Sequence, residues 1–153
     1  MIKAFIFDFD GVLVRTEDTS PHYAWDKRLG LAPGSVERAI RHSDLWIQAQ
    51  LGRVTPRAYW TGVAEMLYMR RDDIAELRRD CLGGDRLNYR AIDLLRDLHE
   101  RGCTVVLLAN DSIELEARLT ELGIDALFDH ILISAQIGVM KPDVTAFRVA
   151  LQT

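Results

Sequence analysis

The sequence predicts an α/β protein, a parallel sheet interrupted by an all-helical insertion, and three observations carry that expectation. Short apolar, β-favouring runs recur at residues 2–7, 103–109 and 130–134. Amphipathic stretches closed by glycines lie after them. The segment from Arg15 to Arg86 holds no strand-like run, only successive helical stretches. With 153 residues and 48% hydrophobic content, the chain has material for one packed core and a small appended module.

Along the chain, the first run, Ile-Lys-Ala-Phe-Ile-Phe at 2–7, ends abruptly in Asp8-Phe9-Asp10-Gly11, which reads as a buried strand opening into a loop. Residues 103–109 repeat that grammar and lead into Asn110 and Asp111, and 130–134 offer a third, weaker strand. All three read as buried on both faces. Helical patterns cover 89–101, 113–122 and 144–151, the first two stopping at Gly102 and Gly123. Strands alternating with helices make the sheet parallel.

The insertion divides into 23–29 ending at Gly30, 36–51 ending at Gly52, 57–69 opened by the N-cap and first-turn proline Thr55-Pro56, and 72–82 stopping at Gly83-Gly84. A block inserted after the first strand's loop is expected over the carboxyl edge of the sheet, where ligands of open α/β folds bind, and so to serve as a lid. The expected domains are a core of 1–14 and 87–153 and a helical cap of 15–86.

Composition excludes several classes of function. The formal charge is -4, with neither sign gathered into a run, so no nucleic-acid partner is expected. The longest apolar run, Val105–Ala109, is far short of the roughly 20 residues that span a bilayer, so no membrane partner is expected either. The N-terminus runs straight into a strand pattern with two carboxylates where a signal peptide would need apolar residues, and the expected location is cytoplasmic. Cys81 and Cys103 lack partners at metal-ligand spacing, as do His22, His42, His99 and His130, and no role is assigned to any of them. Trp25, Trp46 and Trp60 fall in the insertion and read as packing residues.

The residues that carry chemistry are Asp8 and Asp10, two acids two apart in the turn after an apolar strand. One carboxylate can attack an electrophile while the other moves a proton, provided a cation offsets their charge. Mg²⁺ suits that task, being hard, oxygen-seeking and typically held by one or two carboxylates with water and phosphate. An isolated Asp-x-Asp-Gly is ordinarily just a turn; its place at a strand end shifts the balance. Lys141, in Lys141-Pro142-Asp143 after the third strand, puts an ammonium near the same edge, and Asp143 is placed to cap the following helix. Alone, such a lysine is more often a solvated loop residue.

Taken in order, Asp8-x-Asp10-Gly11-Val12-Leu13, a strand ending at Asn110, and Gly138-x-x-Lys141-Pro142-Asp143 resemble the motifs of the haloacid dehalogenase superfamily. The resemblance extends over essentially the whole chain, helical insertion included. It implies a Rossmann-like parallel core with a small helical cap and Mg²⁺-dependent hydrolysis of a small phosphorylated metabolite. It further implies Asp8 as the nucleophile that becomes an aspartyl-phosphate, Asp10 as general acid and base, and Lys141 as the residue that steadies nucleophile and phosphate. Asp8 and Asp10 would bind the metal, and Asn110 and Gly11 the phosphate. Dehalogenases of the superfamily lack the second aspartate, so Asp10 ranks that activity last. A phosphosugar mutase and a non-catalytic phosphate-binding module are the alternatives.

Two departures from the family pattern stand out. Ala109 occupies the position where the family usually places Ser or Thr to hydrogen-bond phosphate, with Ser112 a candidate substitute. No Asp or Glu follows Asp143, so the C-terminal strands of the family core and their acidic pair have no counterpart in these residues. The Asp8 strand is then expected to keep an open edge, which implies a longer natural chain, an added tail or pairing into a homo-oligomer through that edge. Arg15 stands near the expected site mouth and reads as a solvated linker residue.

Overall fold

The computed structural model describes residues 2–153, which divide into two compact units. The first comprises residues up to Arg15, Gln50–Arg53 and Leu87–Thr153; the second comprises Thr16–Ala49 and Val54–Arg86. Five strands and nine α-helices follow in chain order: β1 Ala4–Phe7, β2 Val14–Thr16, α1 Ser20–Arg28, α2 Ser35–Arg41, α3 Asp44–Gln50, α4 Pro56–Met66, α5 Ile74–Leu82, β3 Asp85–Leu87, α6 Tyr89–Glu100, β4 Thr104–Ala109, α7 Glu114–Glu121, β5 His130–Ile133, α8 Ser134–Ile137 and α9 Val144–Ala150.

The first unit is α/β, as the sequence predicts, with a parallel sheet in the order β1-β4-β5. Each neighbour reaches the next by a helical crossover, the connection that parallel pairing requires. Register sets the two faces. Phe5 and Phe7 lie beside Val105 and Leu107, and this face packs on Ile92 and Leu95 of α6 and Leu115 and Leu119 of α7. On the opposite face Val106 and Leu108 pack on Ala146 and Ala150 of α9.

Burial differs from expectation along the sheet. Only β4 is enclosed on both faces. In β1, Ala4 and Ile6 are exposed, Ile6 at 39%. The reason is positional: β1 is an edge strand, and α9 covers the face of β4 rather than its own. Among the described residues, β1 is paired along one side only.

Two other expectations change in the helical segment. The stretch 36–51 is two helices, because Ser43 interrupts it: its hydroxyl donates to the Ala39 carbonyl at 2.9 Å and accepts from the Trp46 N–H at 3.2 Å. A hydroxyl that satisfies backbone groups at a helix start competes with helix continuation. The segment also contains strand residues, since β2 and β3 form a two-stranded ribbon joined by a side-chain bond from Thr16 to Asp85.

The second unit is otherwise helical around Trp25, Val36, Tyr59, Val63, Leu67 and Leu77. Asp26 and Tyr59 find partners within it. The Asp26 carboxylate accepts the Gly34 and Val36 N–H groups at 2.6 and 2.8 Å and so caps α2, while the Tyr59 hydroxyl donates to the Ile40 carbonyl. Thr55 caps α4 by accepting from Ala58, as its sequence predicts. His22, 4% exposed, approaches Glu37 with Nδ1 to Oε2 at 2.5 Å.

That pair gives the fold a pH dependence. The Cys81 thiol and the Glu37 carboxylate beside it push the His22 imidazole up to about 10, against the opposing effect of burial. Its stabilisation is complete below the ordinary 6.5 and is lost as pH rises through about 10. His22 in turn holds Glu37 below its ordinary 4.5, so that contribution is present above 4.5 and lost as pH falls through the lowered value. Urea midpoints are expected to be highest between pH 4.5 and 6.5 and to decline toward 10. Glu37→Gln should flatten the alkaline decline; an unchanged slope in that variant would contradict the assignment.

Candidate active site

The site in the first unit is assembled by the carboxyl ends of β1 and β4 and by the loop after α8. β1 ends at Phe7, and Asp8 follows with its Oδ1 accepting the Phe9 N–H at 2.8 Å. Phe9 and Leu13 are buried in the core on either side of Asp10-Gly11-Val12, so the turn is pinned at both ends. Backbone bonds from Leu13 and Val14 to the Phe9 carbonyl tighten it. Asp8 and Asp10 stay exposed at its mouth.

Lys141 is the residue that meets Asp8. Its Nζ lies 2.8 Å from Asp8 Oδ2 and donates to the Leu108 carbonyl at 2.7 Å. The lysine side chain is 18% exposed and that of Asp8 47%. The ammonium is thus anchored in the sheet edge while the carboxylate keeps a solvent-facing side. Asp143 caps α9 by accepting from the Thr145 N–H at 2.8 Å, as expected, and that bond holds its carboxyl below the usual range.

The two residues expected to contact phosphate also bond within the fold. Asn110 gives both arms of its amide to Lys141, Nδ2 donating to the carbonyl and Oδ1 accepting the N–H, each at 2.8 Å. The Gly11 N–H donates to the Val14 carbonyl at 2.8 Å, and Gly11 takes φ +77, a left-handed turn that lacks steric cost only for glycine. These bonds take one of the two side-chain N–H donors of Asn110 and the single N–H of Gly11, and both groups shape the site. Ser112 is buried with its N–H on Asp111 Oδ1 at 2.6 Å, and Arg15 donates from Nε to the Gly11 carbonyl at 3.2 Å.

Gln50 and Ser134 were not singled out by sequence. Gln50 Nε2 donates to the Asn110 carbonyl at 2.9 Å, and the Ser134 hydroxyl accepts the Asp111 N–H at 3.0 Å. Gly52 holds the Gln50 segment down: with φ +69, a Cβ there would stand 2.2 Å from the Ala135 carbonyl oxygen. Residues 60 apart in the chain leave no periodic signal, although Gly52 marks the turn.

As a donor set for a metal, Asp8 and Asp10 supply hard oxygens. Among the described residues no three His, Cys, Asp or Glu side chains gather to enclose an ion. The residues therefore fit the sparse mode of Mg²⁺, one or two carboxylates completed by water and substrate oxygens, and not a protein cage.

The site is thus a parallel sheet carrying an aspartate beyond its edge strand, with a lysine held against it from beyond another strand. Residues 2–153 match the haloacid dehalogenase-like hydrolase family, and the chain belongs to it. Across 151 residues it is 28% identical to the sesquiterpene phosphatase astK of Aspergillus oryzae, covering 98% of this chain and 73% of that protein. A family enzyme of Bacteroides thetaiotaomicron, solved in complex with magnesium and inorganic phosphate, superposes with a TM-score of 0.77 at 20% identity over 99% of this chain and 78% of its own. The L-2-haloacid dehalogenase of Xanthobacter autotrophicus gives 0.65 at 21% identity, with 65% of its length covered. At these identities the structural likenesses speak for the fold.

Asn110→Ala removes both bonds that clasp the Lys141 backbone. Urea denaturation should register a loss of about 1–3 kcal/mol, the range for stranding partly buried polar groups. A loss below about 0.5 kcal/mol, as for an ordinary surface change, would show the clasp to be dispensable.

Proposed function

We propose that the chain is an Mg²⁺-dependent phosphatase that hydrolyses a small phosphomonoester through an aspartyl-phosphate. The observation that carries this reading is the 2.8 Å contact of Lys141 Nζ with Asp8 Oδ2, an ammonium fixed against a half-exposed carboxylate. The phosphatase named among its relatives, and the magnesium and phosphate found with the Bacteroides enzyme, support it.

In this reaction the Asp8 carboxylate attacks phosphorus in line, forming a bond to phosphorus as the ester P–O bond breaks. Asp10, protonated, gives its proton to the leaving alkoxide. As a carboxylate it then takes a proton from water, whose oxygen attacks the aspartyl-phosphate and releases inorganic phosphate and free Asp8. Lys141 orients Asp8 and balances the equatorial oxygens. Asp8 and Asp10 would hold Mg²⁺, which supplies further positive charge when bound. Asn110 and Gln50 act as positioning residues behind Lys141. The helical unit, Thr16–Ala49 with Val54–Arg86, takes the part of the family's cap. No helix among the described residues is long and apolar enough to cross a membrane.

A second reading, a non-catalytic phosphate-binding module, is favoured by Ala109 and by the inward commitment of one Asn110 donor and the Gly11 N–H. Asp8→Asn should abolish turnover of an aryl phosphate while the circular dichroism spectrum is unchanged. Lys141→Ala should lower kcat on the order of 10²–10³-fold, the loss expected for one charge-stabilising donor. Turnover retained by Asp8→Asn would remove the nucleophile assignment, and an inert parent chain that still binds phosphate would support the second reading.

A further inference from the structure

The turn that carries Asp10 passes through Gly11 at φ +77, and a glycine backbone takes either sign of φ without steric cost, so the turn's own sterics do not settle where the Asp10 carboxyl stands. Bonds from Leu13 and Val14 to the Phe9 carbonyl, and from Gly11 to the Val14 carbonyl, close the turn on itself. A fixed position relative to the sheet needs anchors on other elements.

Asn88 supplies such an anchor. It stands just ahead of α6, 76 residues from Val12 in the chain. Its Nδ2 donates to the Val12 carbonyl at 2.9 Å, its backbone N–H donates to the Leu13 carbonyl at 2.8 Å, and its Oδ1 accepts the Ala91 N–H at 3.4 Å as the cap of α6. Two successive carbonyls of the turn thus hang on one residue. α6 is itself seated in the core by the buried Ile92, Leu95 and Leu98. Capping alone does not call for an amide, since serine and aspartate cap helices as well. Aspartate has no donor when ionised and serine has a shorter reach, so the amide serves the Val12 bond.

We propose that Asn88 is a positioning residue for Asp10: by holding the Val12 and Leu13 carbonyls to α6, it keeps the Asp10 carboxyl where its proton passes to the departing oxygen as the ester P–O bond breaks. The proposal rests on the phosphatase reading above, and it gives Asp10 a support separate from the Asn110 clasp behind Lys141. A misplacement of about 1 Å is enough to cost up to about 10²-fold in rate.

The test compares two aryl phosphates that differ in their need for that proton. The para-nitrophenolate ion is a weak base and departs without it, whereas para-methoxyphenolate is a stronger base and departs readily only when protonated. The ratio kcat/KM covers the steps through departure of the phenol, so the later hydrolysis of aspartyl-phosphate does not enter. Asn88→Ser, which keeps an oxygen to cap α6, should lower kcat/KM by about tenfold for the para-methoxyphenyl ester and by about twofold or less for the para-nitrophenyl ester, with an unchanged circular dichroism spectrum. Asp10→Asn should show the same selectivity more strongly, and Lys141→Ala should lower both esters alike. No loss, or an equal loss on both esters, in Asn88→Ser while Asp10→Asn stays selective would overturn the Asn88 assignment alone. An inert parent chain, or Asp10→Asn without selectivity, would instead remove the reading of Asp10 as the acid and this inference with it.

Discussion

The ammonium of Lys141 can serve Asp8 only because strand β4 lies between the segments that carry them. β4 is the one strand enclosed on both faces, and its last carbonyls and the residue after it supply the lysine's supports: Leu108 O takes one proton of the ammonium, and Asn110 clasps the backbone of Lys141 from both sides. A long cationic side chain loses up to about 2 kcal/mol of rotamer freedom when fixed. Here that cost is met by groups that are themselves immobile. The result is a charge whose position is set by the most deeply buried part of the sheet.

The same economy explains why Asn110 faces inward. An amide has two donors and an acceptor to place, and one donor and the acceptor are taken by the backbone of Lys141. Gln50 then occupies the Asn110 carbonyl, and Gly52 lets its segment sit against Ala135 at a distance no side chain would tolerate. Polar groups that would otherwise be stranded at the ends of parallel strands are thereby satisfied. Preorganisation of this kind resides in the neighbours of a reactive group as much as in the group itself.

How much of this was legible in the sequence follows from the range of each interaction. The apolar run ending in Asp8-Phe9-Asp10-Gly11 was legible as a strand, because β-favouring apolar residues give way to charge where it ends. The helix of Val144–Ala150 was visible with its Asp143 cap, and Thr55 with α4, because capping acts across a few residues. The break at Ser43 was hidden, since a serine inside an apolar 3.6-residue pattern looks the same whether its hydroxyl faces water or the backbone. The exposure of Ile6 was hidden for a different reason. An edge strand and a central strand of a parallel sheet share the same composition, and only the placement of α9 over β4 distinguishes them. Gln50 reached Asn110 by tertiary contact alone, and nothing local announces that.

Charge accounting within the site bears on what it demands of a partner. Asp8 and Asp10 as carboxylates outweigh the one positive charge of Lys141, and an arriving phosphomonoester adds up to two more negative charges. Like charges a few ångströms apart repel by about 1 kcal/mol in water and by several times that at a partly buried edge. Lys141 alone cannot offset that excess, and Gly11 has spent its N–H within the fold. In the proposed reaction Asp8 and Asp10 would hold a divalent cation that supplies the missing positive charge, and Asp10 would be the proton donor to the leaving group.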